Sequence, residues 1–335
     1  MRDTDLRETP APDVAAGRSI AFYDLAPRQE SFEAALTRGL SGPAKSIPCR
    51  FLYDEQGSAL FDRICDLPEY YPTRTETAIL AQRADEIAEL AGPGQVVIEL
   101  GSGSSVKVRL LLEALTTPAA YVAIDVSGQH LRAAAEGIAG AYPALQVAAM
   151  CADYGQPFAL PHFEGAAGRL GFFPGSTIGN LTPTQAEGFL RLWSGRLGGG
   201  ASMIVGVDLK KDAAILEPAY DDAQGVTAQF SLNVLHRANR ELDADFSVDA
   251  FQHCARWNEA LSRIEIHLIS RRVQSATVAG RRFDFAEGER VHIEDSCKYS
   301  VDRFQALATR AGFRPRACWT DEAGLFSVHW LDVDG

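Results

Sequence analysis

Between residues 96 and 207 the chain alternates short apolar runs with amphipathic stretches, and this rhythm limits the fold more than any other feature. The apolar runs fall at 96–100, 121–126, 145–151, 170–173 and 202–207. Each has strand length and is too short for a buried helix. The intervening stretches at 106–115, 129–141 and 184–197 space their apolar residues by three and four, as an amphipathic helix requires. Strands that are apolar along their whole length need cover on both faces, and helical crossovers make successive strands parallel. The expected class is α/β, a doubly wound parallel sheet.

The flanks read differently. Upstream, 31–40 and 58–65 have helical spacing, and the mixed run 47–54 lies between them. In LPEYYPTR two prolines bracket Tyr70 and Tyr71, which predicts extended or turn geometry for the pair and a helix from residue 73 to the Gly92-Pro93-Gly94 stop. Beyond residue 208 the reading is helix over most of 212–242 and strands at 264–270 and 282–285. VHIEDSCKY alternates across 291–299, a helix follows at 301–311, and 313–320 with 325–331 forms an antiparallel pair. The expected organisation is an inserted α+β substrate lobe of 26–73 and 211–299. It sits against a main domain of 74–210 and 300–335, behind a disordered lead-in of 1–25.

Composition narrows the partners. A formal net charge of −12, with no Lys/Arg run, disfavours nucleic acid. The lead-in has acids and prolines but no apolar core, unlike a signal peptide, and no apolar run is long enough to span a bilayer. The six cysteines are scattered, without C-x-x-C or a His at ligand spacing, so reduced thiols and no metal site are expected. These features together suggest a cytoplasmic protein acting on a free small molecule; a monomer is the default expectation, which composition does not decide.

VVIELGSGSSVKVRLLL places Glu99, Gly101 and Gly103 where the first strand of the alternating region turns into its helix. Glycines there let the backbone approach a ligand, and the helix N-terminus offers unpaired N–H groups. Asp125 ends the next strand, where a nucleotide site holds ribose hydroxyls, and Asp153 follows the third strand. Adenosylmethionine and a dinucleotide both suit this layout. The third glycine of a dinucleotide loop is replaced by Val106, which favours adenosylmethionine.

The stretches FLYDEQGSALFDRICDLPEYYPTRTE, IELGSGSSVKVRLLLEAL, GSTIGNLTP, AYDDAQGVTAQFSLNVLHRANREL and EDSCKY, in this order, closely resemble the ergothioneine-pathway L-histidine Nα-methyltransferases. The resemblance runs from about residue 30 to the C-terminus. It implies a class I methyltransferase fold, Rossmann-like, with an inserted substrate lobe. It also implies trimethylation of the α-amino group of free L-histidine to hercynine, with S-adenosyl-L-methionine as donor and S-adenosyl-L-homocysteine as product. Asn180 and Tyr220 would hold the substrate carboxylate, and Glu294 with Ser296 the imidazole. Tyr53, Tyr70 and Thr227 would line the pocket, and Tyr53 would meet the amine. On the donor side the resemblance carries Gly101, Lys107, Asp125 and Asp153.

Each residue also has a plainer reading. Asn180 suits a turn or cap, Tyr220 and Thr227, seven apart, share one helix face and suit packing between lobes, Glu294 and Ser296 suit a wet strand face, and the tyrosines suit a core. By the same resemblance, Ile266 would fall near the imidazole. Its branched side chain leaves another aromatic amino acid, such as tryptophan, as the alternative substrate.

Overall fold

A computed structural model describes residues 20–25, 30–102 and 106–334. The strands are β1 (Ile20–Asp24), β2 (Gln95–Leu100), β3 (Ala120–Asp125), β4 (Gln146–Cys151), β5 (Gly168–Phe173), β6 (Ser202–Asp208), β7 (Phe251–Asn258), β8 (Arg263–Ser270), β9 (Gln274–Val278), β10 (Arg281–Phe285), β11 (Arg290–Cys297), β12 (Phe313–Thr320) and β13 (Phe326–Val333). The helices are α1 (Phe32–Ser41), α2 (Glu55–Cys65), α3 (Tyr71–Gln82), α4 (Ala84–Ala91), α5 (Val106–Ala114), α6 (Gly128–Ala141), α7 (Pro183–Leu197), α8 (Ala213–Tyr220), α9 (Val226–Glu241) and α10 (Val301–Arg310).

The apolar runs of the alternating region become one sheet, ordered β1-β4-β3-β2-β5-β6-β13-β12. It is parallel from β1 to β6 and antiparallel through β13 and β12. β2 to β4 are buried at nearly every position because both faces are covered. One face carries the apolar residues of α3 to α6, such as Ile79, Ile87, Leu111 and Leu131, and the other carries Trp193 of α7 and Phe304 of α10. Strand order reverses between β2 and β5, and the crevice at the carboxyl ends there is where doubly wound sheets take ligands.

A separate core joins residues 32–71 to 216–293, with Leu36, Leu52, Tyr71, Val234, Leu268 and Phe285 inside it. Its three-stranded antiparallel sheet runs β11-β8-β7, with β9 and β10 as a separate hairpin.

Three local expectations change. The lead-in expected to reach residue 25 gives way at Ile20, because IAFYD pairs in parallel with β4 and buries Ile20 and Phe22. Tyr71 and Pro72 open α3 instead of staying extended, since proline at a helix start gives up an N–H that has no helical partner anyway. The helix expected to carry both Tyr220 and Thr227 is two helices. Gly225 takes φ +70, and both oxygens of Asp222 accept from the first N–H groups of α9, at 3.0 Å from Val226 and 2.8 Å from Thr227.

Candidate active site

The donor-side residues gather at the carboxyl edge of β2, β3 and β4. Gly101 follows β2 with φ +72, a left-handed conformation that glycine adopts without strain, and donates its N–H to the Ile124 carbonyl at 2.9 Å. Next to it, the buried Ser102 hydroxyl has no hydrogen-bond partner among the described residues. A buried hydroxyl left over beside a glycine turn fits a polar ligand drawn close to the backbone. Gly103 lies outside the described residues. Asp125 ends β3, accepts from the Ser127 N–H at 2.9 Å, and has its carboxyl pushed up by burial. Asp153 follows β4 and accepts from Gly155 N–H at 2.9 Å.

Two more of the expected donor-side residues are engaged by other side chains. Glu99 is buried in β2 and accepts from the Tyr121 hydroxyl at 2.5 Å, with burial raising its carboxyl to about 7. Lys107, in the first turn of α5, forms an ion pair with Glu76. Glu76 went unassigned in the sequence, where it is one acid on a helix. In the fold it is 1% exposed, and its two oxygens accept from the Gly175 N–H at 3.0 and 2.8 Å. One carboxylate thus fastens α3 to α5 and to the turn after β5.

That turn carries Asn180. Ser176 sits at φ +55, a left-handed conformation that costs a non-glycine residue energy, and its hydroxyl accepts from the Asp208 N–H at 2.9 Å. A 3-10 turn over Thr177–Asn180 then presses onto β11. A side chain on Gly179 would place its Cβ 2.8 Å from the Cys297 carbonyl oxygen, so only glycine lets the turn approach this closely. Asn180, half-buried, is thereby held beside the end of β11 that bears Ser296.

β11 contains the decisive irregularity. His292 pairs with His267, but Glu294 pairs with Ile266, so Ile293 is an extra residue. Strict alternation from buried Val291 would turn Glu294 and Ser296 outward with His292. The bulge resets the parity and puts both on the face of Ile264 and Ile266, which is buried. Burial lifts the Glu294 carboxyl to about 7. The Cys49 thiol, pushed up to about 12 by burial and then by Glu294, shares this neighbourhood.

Aromatic rings wall the same recess. Tyr53 meets Phe61 and Phe230 edge-on, with centroids 5.5 and 5.2 Å away, and Tyr70 meets Phe61 and Tyr220 at 6.2 and 6.0 Å. Tyr53 is 39% exposed, yet burial followed by Glu294 raises its phenol, as expected for a ring that lines a recess open to water. Tyr220 Oη lies 3.0 Å from Ser296 Oγ. Tyr53, Tyr70, Tyr220, Glu294, Ser296 and Ile266 therefore converge. Thr227 opens α9 beside the Asp222 cap, buried, on the far side of the break from Tyr220.

Beneath Tyr220 lies a buried charge network that sequence reading did not assign. Lys298 and Asp208, both with fully buried side chains, pair at 2.6 Å. Asp208 also accepts from the Tyr71 hydroxyl at 2.8 and 2.9 Å and pairs with Lys211 at 2.5 Å. Burial lowers Lys211 to about 8. Among the described residues no cluster of His, Cys, Asp or Glu is placed to hold a metal ion, and no helix is long and apolar enough to cross a membrane.

Residues 32–333 match the model of a family described as histidine-specific, SAM-dependent methyltransferases. The chain belongs to that family. Among relatives of this methyltransferase, the histidine N-alpha-methyltransferase of Mycolicibacterium smegmatis is 43% identical over 305 residues, covering 89% of this chain and 94% of that protein. The histidine N-alpha-methyltransferase of Mycobacterium tuberculosis is 45% identical over 295 residues, covering 87% and 91%. Ergothioneine biosynthesis protein 1 of Neurospora crassa is 31% identical over 304 residues, covering 87% of this chain and 34% of its own length.

Proposed function

We propose that this methyltransferase transfers methyl groups from S-adenosyl-L-methionine to the α-amino nitrogen of free L-histidine, three times in succession, giving hercynine for ergothioneine biosynthesis. The observation that carries this reading is the bulged β11. It turns an acid and a hydroxyl into an aromatic recess and sets that hydroxyl 3.0 Å from the phenol of Tyr220.

Neutral imidazole has one N–H and one bare nitrogen. Glu294 accepts from the first and Ser296 donates to the second. A side chain without these groups would leave a buried carboxylate unpaired, which rejects it strongly. Asn180 and Tyr220 hold the α-carboxylate, while Tyr53, Tyr70 and Thr227 shape the pocket around the amine. Asp125, Asp153, Gly101, Gly103 and Lys107 hold the donor, with Glu99 setting the strand beneath it.

When bound, adenosylmethionine supplies a methyl group activated by its sulfonium. The protein's part is positioning. Alignment of two reactants within a few ångströms provides most of the gain in such a displacement. The amine must present its lone pair, and the recess takes it with Tyr53 as hydrogen-bond partner. The aromatic faces can then accommodate the cation as methyl groups accumulate.

The lobe that orients the amino acid is assigned to residues 26–73 and 211–299, and the donor-binding domain to 74–210 and 300–335. Six free thiols favour a reducing compartment, the cytoplasm. The test is to incubate the protein with adenosylmethionine and the standard amino acids and weigh the products. Gains of one, two and three methyl groups on histidine alone are expected. Methylation of tryptophan instead, or no product at all, would overturn the reading.

A further inference from the structure

The Lys298 ammonium donates to three oxygens: Asp208 Oδ2 at 2.6 Å, Tyr220 Oη at 2.6 Å and Ser296 Oγ at 2.9 Å. An ammonium has three N–H groups and accepts nothing, so this set uses all of them. Its side chain is fully buried, as is that of Asp208, so water does not compete for the hydrogens. Lys298 also lies 4.5 Å from the centroid of the Tyr220 ring. Asp208 in turn is fixed by the Tyr71 hydroxyl, by Lys211 and, through its N–H, by Ser176. The cation therefore sits at the end of a rigid strand, pointing at two hydroxyls that belong to α8 and β11.

A hydroxyl that receives a hydrogen bond from a cation keeps its own proton to give. Tyr220 Oη and Ser296 Oγ lie 3.0 Å apart, so without substrate one of the two protons lies between them and is redirected when an acceptor binds. From this geometry we infer that Lys298 is a positioning residue that holds Tyr220 and Ser296 together as donors, so that the pocket demands an acceptor at both ends of its amino acid. The inference rests on the histidine reading above. Under it, the Tyr220 proton is aimed at the α-carboxylate and the Ser296 proton at the bare ring nitrogen. The ring N–H is thereby assigned to Glu294. One buried cation thus links recognition of the two ends of the substrate and selects one orientation of the ring.

The test is a cycle of variants. Lys298→Met keeps length and removes all three donors. In the otherwise native enzyme it should raise the KM for histidine about tenfold or more, as expected for loss of hydrogen bonds made by a charged group. The Kd for adenosylmethionine should stay within about twofold, since among the described residues no assigned donor-side group contacts Lys298. In a Tyr220→Phe/Ser296→Ala background the same substitution should change the KM less than about twofold, because the hydroxyls it orients are gone. A purely architectural lysine would act equally in both backgrounds, so additive effects would overturn the inference. Should Lys298→Met alone fail to fold, the cycle is run with Lys298→Gln, which removes the charge but keeps a polar side chain, while Asp208 retains Lys211 and the Tyr71 hydroxyl. If the native enzyme binds adenosylmethionine but neither binds nor methylates histidine, it is the substrate assignment that fails. If it methylates histidine and the cycle is additive, only the role of Lys298 fails.

Discussion

The replacement of Glu294 by glutamine tests the pocket through its charge. Burial holds the Glu294 carboxyl at about 7. The group is raised, so its ionised form is complete only above that value and is lost as the pH falls through it. At pH 8 about nine-tenths of the side chain is carboxylate and at pH 6 about one-tenth, a ninefold to tenfold change in the form that can only accept. If the imidazole N–H requires that acceptor, histidine should bind roughly tenfold more weakly at pH 6 than at pH 8 from this cause alone. The substrate's own imidazole and amine titrate in the same range, as do Glu99 and Lys211, so the raw pH profile mixes several groups. The amide of the Glu294→Gln variant offers a carbonyl oxygen at every pH, so the variant removes the Glu294 titration and keeps all the others. The quantity to measure is therefore the ratio of histidine Kd at pH 6 to that at pH 8, by calorimetry with S-adenosyl-L-homocysteine present to prevent turnover. The native ratio should exceed that of Glu294→Gln by about tenfold. Equal ratios, or a native enzyme that binds more tightly as the pH falls, would refute a carboxylate acceptor at the ring.

Three further substitutions probe the frame. Asn180→Ala should lower kcat/KM for histidine about 30- to 100-fold, from loss of a hydrogen bond to a carboxylate, with adenosylmethionine Kd unchanged in calorimetry. Glu76→Ala strands the Lys107 ammonium and the Gly175 N–H together. It should cost about 3 kcal/mol or more in urea unfolding, and a loss below about 1 kcal/mol would show that the buried pair is replaceable. Gly179→Ala drives a Cβ to within 2.8 Å of the Cys297 oxygen. It should cost about 1–3 kcal/mol by overpacking and raise the histidine KM, and an unchanged thermal midpoint with native kinetics would contradict the close approach.

The parallel sheet was legible because each of its strands is bracketed by helices with their own period, so the signal is local. β1 was not, since IAFYD has meaning only once β4 offers an open edge more than a hundred residues away. The Glu-x-Ser pair was expected to share a face and does, but which face depends on the bulge at Ile293, and period-two reading points the wrong way. The break between α8 and α9 is announced by Asp222 and Gly225, whose capping roles are visible in sequence only when a helix is not assumed to run through them. Glu76, Asp208 and Lys298 escaped for a common reason. Charged residues ordinarily stay in water, and nothing local marks the few that are taken inside together. The motifs that carried the family resemblance contained Glu76 and Lys298 all along, without indicating what they touch.

Ile266 is 3% exposed in the core of its lobe and pairs directly with Glu294. Any lineage that widens or narrows the ring pocket at this place must repack that core in the same mutational step. Trimming to Val costs roughly 0.5–1.5 kcal/mol, and a bulkier replacement roughly 1–3 kcal/mol. Set against a folding reserve of about 5–15 kcal/mol, one such step is survivable and several in succession are not. Drift toward a new amino acid is thus throttled by foldability, and variants selected for altered preference should first need compensating substitutions elsewhere in the same core.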